Sequence, residues 1–334
     1  MSSTSLSERA RAIEPRVNHT VIGGVRVLVG LMWLANLHWK VPPDFGEPTN
    51  SGLYKFFDSV TQNSPFAPFT WVVEQIVLPN FVFFGWFTLL AETAVAMLLI
   101  VGYRTRVAAL FGAALAVPIT LAVIYYDRAD EWSWAYFMMI GLHLVVFATD
   151  AGRHGGLDGA LARGEPAARR GLTVAGVSAM VIGVLGLFVA RSVAFATSEV
   201  ALLGSDAGFV DADGRLVRRW ELKLLFFNPL WALLTIAFGV LLVIGARRVW
   251  AAYAGGAGFG VLAIVALALR TFDYARDDGV LQRISTGTNI AVWGGLAIVG
   301  LLLARQLTKP SASAGSPAST SSVEPGSEAT SQTS

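Results

Sequence analysis

The chain has 334 residues, of which 54% are hydrophobic and 14% charged, with a formal net charge of +2 and a mean hydropathy of +0.58. A water-soluble domain of this length does not tolerate such a composition, so the solvent is a lipid bilayer, and the small, dispersed charge excludes nucleic acid as a partner. The absence of cysteine excludes disulfides, thiolate metal sites, cysteine nucleophiles and a persulfide relay.

In chain order, residues 1–17 are polar and read as a disordered tail. Eight segments then approach the roughly 20 apolar residues that cross a hydrocarbon core: 21–39, 80–101, 107–125, 133–149, 172–191, 229–245, 250–269 and 288–304. The expected fold is therefore an all-α, polytopic membrane protein of about eight helices. Between the first two segments, Leu53, Phe56, Phe57 and Val60, then Phe69, Val72, Val73 and Ile76, recur at helical spacing. They predict short helices at the membrane interface, which either roof a cavity or anchor the bundle as an aromatic belt. Between segments five and six, GFVDADGRLV is a turn signal between β-prone runs. Its Asp211 and Asp213 lack the spacing of a calcium loop. Residues 306–334 are rich in Ser, Thr and Pro and read as a second disordered tail.

The turns after segments two and six are basic, which places them and both termini on the cytoplasmic side of a cell membrane. LLIVGYRTRVAALFGAALAV (98–117) and LLVIGARRVWAAYAGGAGFG (241–260) align at a constant offset of 143, with Gly102 over Gly245 and Arg104 over Arg247. Either the chain is a duplicated four-helix unit, 18–161 and 170–305, or Gly plus Arg is simply a common way to make a cytoplasmic turn.

Ionisable groups inside a membrane are costly and usually face the bundle with a partner. Counted from the cytoplasmic helix ends, Arg26, His143 and Glu92 fall in one half of the bilayer, at depths of roughly 7 to 15 Å. Two readings follow for Glu92. It forms an ion pair with Arg26 that fixes helix register, or it joins His143 in a proton relay beside a quinone or small-anion pocket. At the opposite end, NLHWKVPPDFG gathers Asn36, His38 and Lys40, either as an interface anchor or as the cationic mouth of an anion site. Haem would need two histidines at one depth, whereas His38 and His143 lie near opposite ends of their segments, so neither haem nor a metal is expected.

VRVLVGLMWLANLHWKVPPDFG, LLAETAVAMLLIVGYRTRVAAL and TDAGRHGGLDGAL together resemble the DoxX-like membrane proteins, in particular the DoxD type, the small subunit of thiosulfate:quinone oxidoreductase. The resemblance covers about 18–161 and implies a four-helix fold, in which Gly102, Arg104, Arg106, Asp150 and Asp158 belong to the structural motif. It also implies oxidation of thiosulfate to tetrathionate, quinone as electron acceptor and a second subunit of the DoxA type. On that reading Glu92 and His143 are the catalytic candidates, and Arg26, Lys40, His38 and Asn36 the substrate-binding ones. The second half lies outside the resemblance and has Thr235 where the offset would place a counterpart of Glu92. The competing expectations are a non-enzymatic anchor of an oxidoreductase complex and, behind it, a small-solute transporter.

Overall fold

The structure, a computed structural model, describes residues 6–124, 126, 133–196, 199–210, 216–269, 271–275 and 281–309. Asp211, Asp213 and most of the C-terminal tail lie outside these residues. Helix α1 runs Leu6–Ala35, so residues 6–17, expected as tail, continue the first helix. The order then is α2 Tyr54–Asn63, α3 Ala67–Val72, α4 Phe81–Val101, α5 Thr105–Ile124, α6 Ser133–Ala148, α7 Leu157–Ala162 and α8 Glu165–Val189. Strands β1 Val200–Val210 and β2 Leu216–Phe227 follow, then α9 Pro229–Gly245 and α10 Val249–Leu269. Strands β3 Thr271–Ala275 and β4 Leu281–Ser285 and helix α11 Gly287–Leu307 complete the chain.

Among the described residues, six helical stretches are long and apolar enough to cross a bilayer: Asn18–Ala35, Ala67–Val101, Thr105–Ile124, Glu165–Ser192, Val249–Leu269 and Gly287–Leu307. Two shorter apolar helices, Trp134–Ala148 and Pro229–Gly245, take the remaining places expected of eight. The protein is thus an all-α, multi-pass membrane protein with its large apolar side chains turned outward, Phe83, Phe111, Phe137 and Phe188 among them, as lipid requires.

The helices close into two four-membered rings. In the first, α1 packs on α4, α4 on α5, α5 on α6 and α6 on α1; in the second, α8, α9, α10 and α11 repeat the same cycle. Small residues set the spacing. Gly176 and Gly239 bring α8 and α9 together backbone to backbone, and Gly256 and Gly300 do the same for α10 and α11. The rings meet through α11 and α4, where Gly294 and Gly295 seat the side chains of Met97 and Val101. The offset of 143 that relates Gly102 to Gly245 also relates Arg26 to Arg169. Both guanidiniums donate to carbonyls at the C-terminal end of the second helix of their ring, Arg26 to Leu99 and Ile100 and Arg169 to Ala246.

Two antiparallel hairpins interrupt the helical pattern in the second half. The turn signal GFVDADGRLV, residues 208–217, joins the end of β1 to the start of β2 as expected. The β3–β4 pair was not anticipated, although TFDYA and LQRIS are β-prone runs separated in sequence by an Asp278-Gly279 turn signal. The base of the first hairpin is tied to the start of α11. Asn289 accepts from the Phe226 N–H and donates to its carbonyl, and the Thr288 hydroxyl accepts from the Leu225 N–H.

Candidate functional site

Glu92 sits in the middle of α4 with its side chain fully buried. Its partner is Lys40, not Arg26. Lys40 Nζ lies 2.8 Å from Glu92 Oε2, and Oε1 has no hydrogen-bond partner among the described residues. Helix α1 ends at Ala35 and the chain turns, so Lys40 is returned over the helix end with its stem buried. The ammonium donates to the Asn36 carbonyl at 2.7 Å and lies 3.9 Å from the centre of the Trp39 ring. Trp39 is held in turn by its indole N–H on the Asn36 side-chain oxygen at 3.1 Å.

The interfacial helices do roof this pair. Phe56, Val60, Phe69 and Val73 form one buried cluster on α2, α3 and the turn that follows, packed against Ala122 and Val123 of α5. Beneath it is a cavity lined by Lys40, Glu92, Trp39, Phe56, Phe57 and Tyr136, with aliphatic side chains completing the wall. Its free space is about 20 Å³, room for about one water.

Arg26 belongs to the other end of the bundle. It caps the last turn of α4, where orphan carbonyls and the helix dipole favour a cation. Those carbonyls lie seven or eight residues beyond Glu92, roughly 10 Å along the axis, so the expected Arg26–Glu92 pair is not formed. His143 is committed elsewhere too. The Trp33 indole N–H donates to Nε2 at 2.9 Å, which leaves Nδ1 as donor to the Met139 carbonyl at 2.7 Å. Gly112 gives the ring its space, since a Cβ there would come within 2.3 Å of Nε2. His143 is not among the residues lining the Glu92 cavity. His38 turns its Nδ1 to the Ala35 carbonyl at 2.7 Å, and its own carbonyl accepts from the Ser285 N–H at 3.1 Å. Close by, Gly287 at the start of α11 abuts Leu37 and Leu89.

The turn motif is a separate, structural assembly. Gly102 ends α4 in the left-handed conformation at φ 71° and Arg104 follows at φ 46°. Asp158 fixes this reversal from α7. Its two oxygens accept from the Arg104 N–H at 2.8 Å and the Thr105 N–H at 3.0 Å, and its own N–H donates to the Gly102 carbonyl at 2.8 Å. Asp150 forms exposed ion pairs with Arg106 at 3.7 Å and Arg153 at 2.9 Å. Here the sequence motif and the physical motif coincide.

What sequence reasoning missed is the pairing of Lys40 with Glu92. The signal for it was the Asn36–Lys40 spacing of four just before Pro42 and Pro43, which lets Lys40 fold back on its own helix end. Among the described residues, no group of three or more His, Asp or Glu side chains is placed to hold a metal ion.

Residues 22–175, from the membrane-spanning part of α1 into α8, match the family model described as TQO small subunit DoxD. No curated protein and no solved structure matches the chain. The matched residues take in the first four-helix ring, with its buried Lys40–Glu92 pair and its Asp158-locked turn, and over that part the chain is similar to the DoxD family.

Proposed function

We propose that the chain is a subunit of a membrane oxidoreductase that takes electrons from thiosulfate and passes them to a membrane quinone, with the Lys40–Glu92 cavity as its chemical site. The observation that supports this reading is a fully buried carboxylate–ammonium pair lining a roofed cavity, with one carboxylate oxygen lacking a hydrogen-bond partner. In the reaction, two thiosulfate dianions lose one electron each as the central S–S bond of tetrathionate forms, and the quinone takes up two electrons and two protons. Lys40 supplies the counter-charge for a dianion. Glu92 Oε1 is the atom free to receive a proton and hand it on. The free space of about 20 Å³ is too small for either substrate, so entry requires the α2 side chains Phe56 and Phe57 to move away from Ala122 and Val123.

The wider setting belongs to the same proposal: a cell membrane, both termini cytoplasmic by the basic turns, and a second subunit of the DoxA type. The second ring reads as a duplicated copy of the first that kept the arginine cap and lost the polar pair. Thr235 replaces Glu92 and Gly183 replaces Lys40 at the common offset.

Membranes carrying the chain together with a DoxA-type partner are the material for the test. Wild type should reduce quinone in the presence of thiosulfate, and Glu92→Gln and Lys40→Met should be slower by about 100-fold or more. No turnover in the wild type removes the thiosulfate assignment. A second reading, a non-enzymatic anchor, is favoured by the size of the cavity, which holds a water and not a ring. That reading gains if there is no turnover and a charge-swapped Lys40→Glu/Glu92→Lys variant recovers the stability lost by each single change.

A further inference from the structure

At the opposite end of the first ring, α1 and the turn after α6 border an open groove of about 620 Å³. Its wall changes character along the helix. At the polar end stand His19, Thr20 and His154; Gly23, Gly24 and Gly155 follow without side chains; Val27, Leu28 and Leu31 continue the wall along the lipid-facing side of α1. The imidazoles of His19 and His154 are stacked, 4.4 Å between centroids and 23° apart in plane. Each ring offers at least one N–H whatever its charge. Arg26 also lines the groove, and although its NH1 is occupied at the end of α4, its Nε is buried without a hydrogen-bond partner. The polar end lies beside a basic turn carrying Arg104, Arg106, Arg153 and Arg163 against Asp150 and Asp158, an excess of positive charge.

We propose that this groove binds one anionic phospholipid, its phosphate at the His19–His154 pair and one acyl chain along Leu28 and Leu31. Three observations converge on that ligand. The groove spans thirteen residues of α1, from His19 to Leu31, about 18 Å, so it is longer than any headgroup and needs a ligand with an apolar tail. Its polar part is rich in N–H donors, from His19, His154 and Arg26, which suits a phosphate and offers few acceptors to a cationic or zwitterionic headgroup's amine. Between the two parts Gly24 and Gly155 leave the wall without side chains, and an added Cβ at either would stand in open space. This site is independent of the reaction proposed above, because it touches neither Lys40 nor Glu92.

The test uses the full chain purified in detergent and offered equimolar phosphatidylglycerol and phosphatidylcholine, with retained lipid counted by native mass spectrometry. Wild type should retain phosphatidylglycerol with an enrichment of about 10-fold, as a few cationic contacts provide. His19→Ala/His154→Ala should reduce the enrichment to about 2-fold or less. Gly24→Leu should do the same by placing a side chain in the groove between its polar and apolar parts, and since that side chain enters open space the variant keeps the fold, verified by an unchanged melting temperature. Equal retention of the two lipids by wild type overturns the proposal, as does enrichment that survives in both variants. Displacement by an equal concentration of inorganic phosphate overturns it in favour of a free-anion site. Retention of a neutral quinone in place of phosphatidylglycerol overturns it in favour of a quinone groove.

Discussion

Trp33 and His143 are joined across the first ring by a 2.9 Å hydrogen bond from indole to imidazole. With Nδ1 held by the Met139 carbonyl, both ring nitrogens are used and the histidine has no lone pair to lend a substrate. The bond staples α1 to α6, a contact made between neighbouring helices of the ring and away from the Glu92 cavity. His143→Gln should therefore leave thiosulfate-dependent quinone reduction within about threefold of wild type, while Glu92→Gln abolishes it. Trp33→Phe, which strands a buried imidazole acceptor, should cost about 1–3 kcal/mol of stability. Parallel thermal melts and turnover assays on the three variants separate the roles.

The Lys40–Glu92 pair makes a signed prediction of its own. Removing one partner of a buried pair leaves an uncompensated charge, so Lys40→Met should destabilise by about 3–5 kcal/mol, whereas Lys40→Met/Glu92→Leu should recover most of that loss. Melting temperatures of the single and double variants measure the difference. A double variant no more stable than the single one would mean that the two side chains are not coupled in the folded protein.

Asp158 acts on backbone rather than on charge. Replacing it with Ala unties the Arg104 and Thr105 amides at the start of α5 and should cost about 1–2 kcal/mol, the scale of a lost helix cap. Limited proteolysis at the 102–106 turn, absent in wild type and present in Asp158→Ala, reports the same loss locally.

Glu199, in the connection ahead of β1, has its carboxyl pushed up to about 8 by burial, and its Oε2 has no hydrogen-bond partner among the described residues. The folded state therefore holds this proton more tightly than the unfolded chain. The stability it lends is complete below the ordinary carboxylate range and is lost as pH rises toward 8. Glu199→Gln should flatten the fall in melting temperature between pH 5 and 9, raising the value at the alkaline end by a few degrees. A wild type with a level profile over that range would count against the buried acid.

Much of this architecture was legible in the residues. The apolar runs gave the spans, the Phe56–Val60 and Phe69–Val73 spacing gave the roof, and Gly102 marked the end of α4 because its left-handed backbone suits a residue without Cβ. The partner of Glu92 was not legible, for a geometric reason. Depths counted from helix ends treat each segment as a straight rod, and Lys40 lies where the rod has ended and the chain doubles back. A lysine stem of four carbons then covers the remaining distance, a reach that residue counting along one axis does not include. Arg26 was placed at the right depth but assigned the wrong kind of partner. Its guanidinium satisfies carbonyls, which no sequence pattern advertises.

The seam between the rings carries a last consequence. Ser285 donates to the carbonyl of His38, two residues before Lys40, and α11 seats Met97, five residues after Glu92, while Gly287 touches Leu37 and Leu89 on either side of the pair. The second half thus braces the chain beside both members of the buried pair, as a jig holds two parts during assembly. A 22–175 fragment would keep the residues that match the DoxD family model yet present the α11-facing side of α4 bare. In this chain α11 covers that side, so the second ring completes the packing of the first.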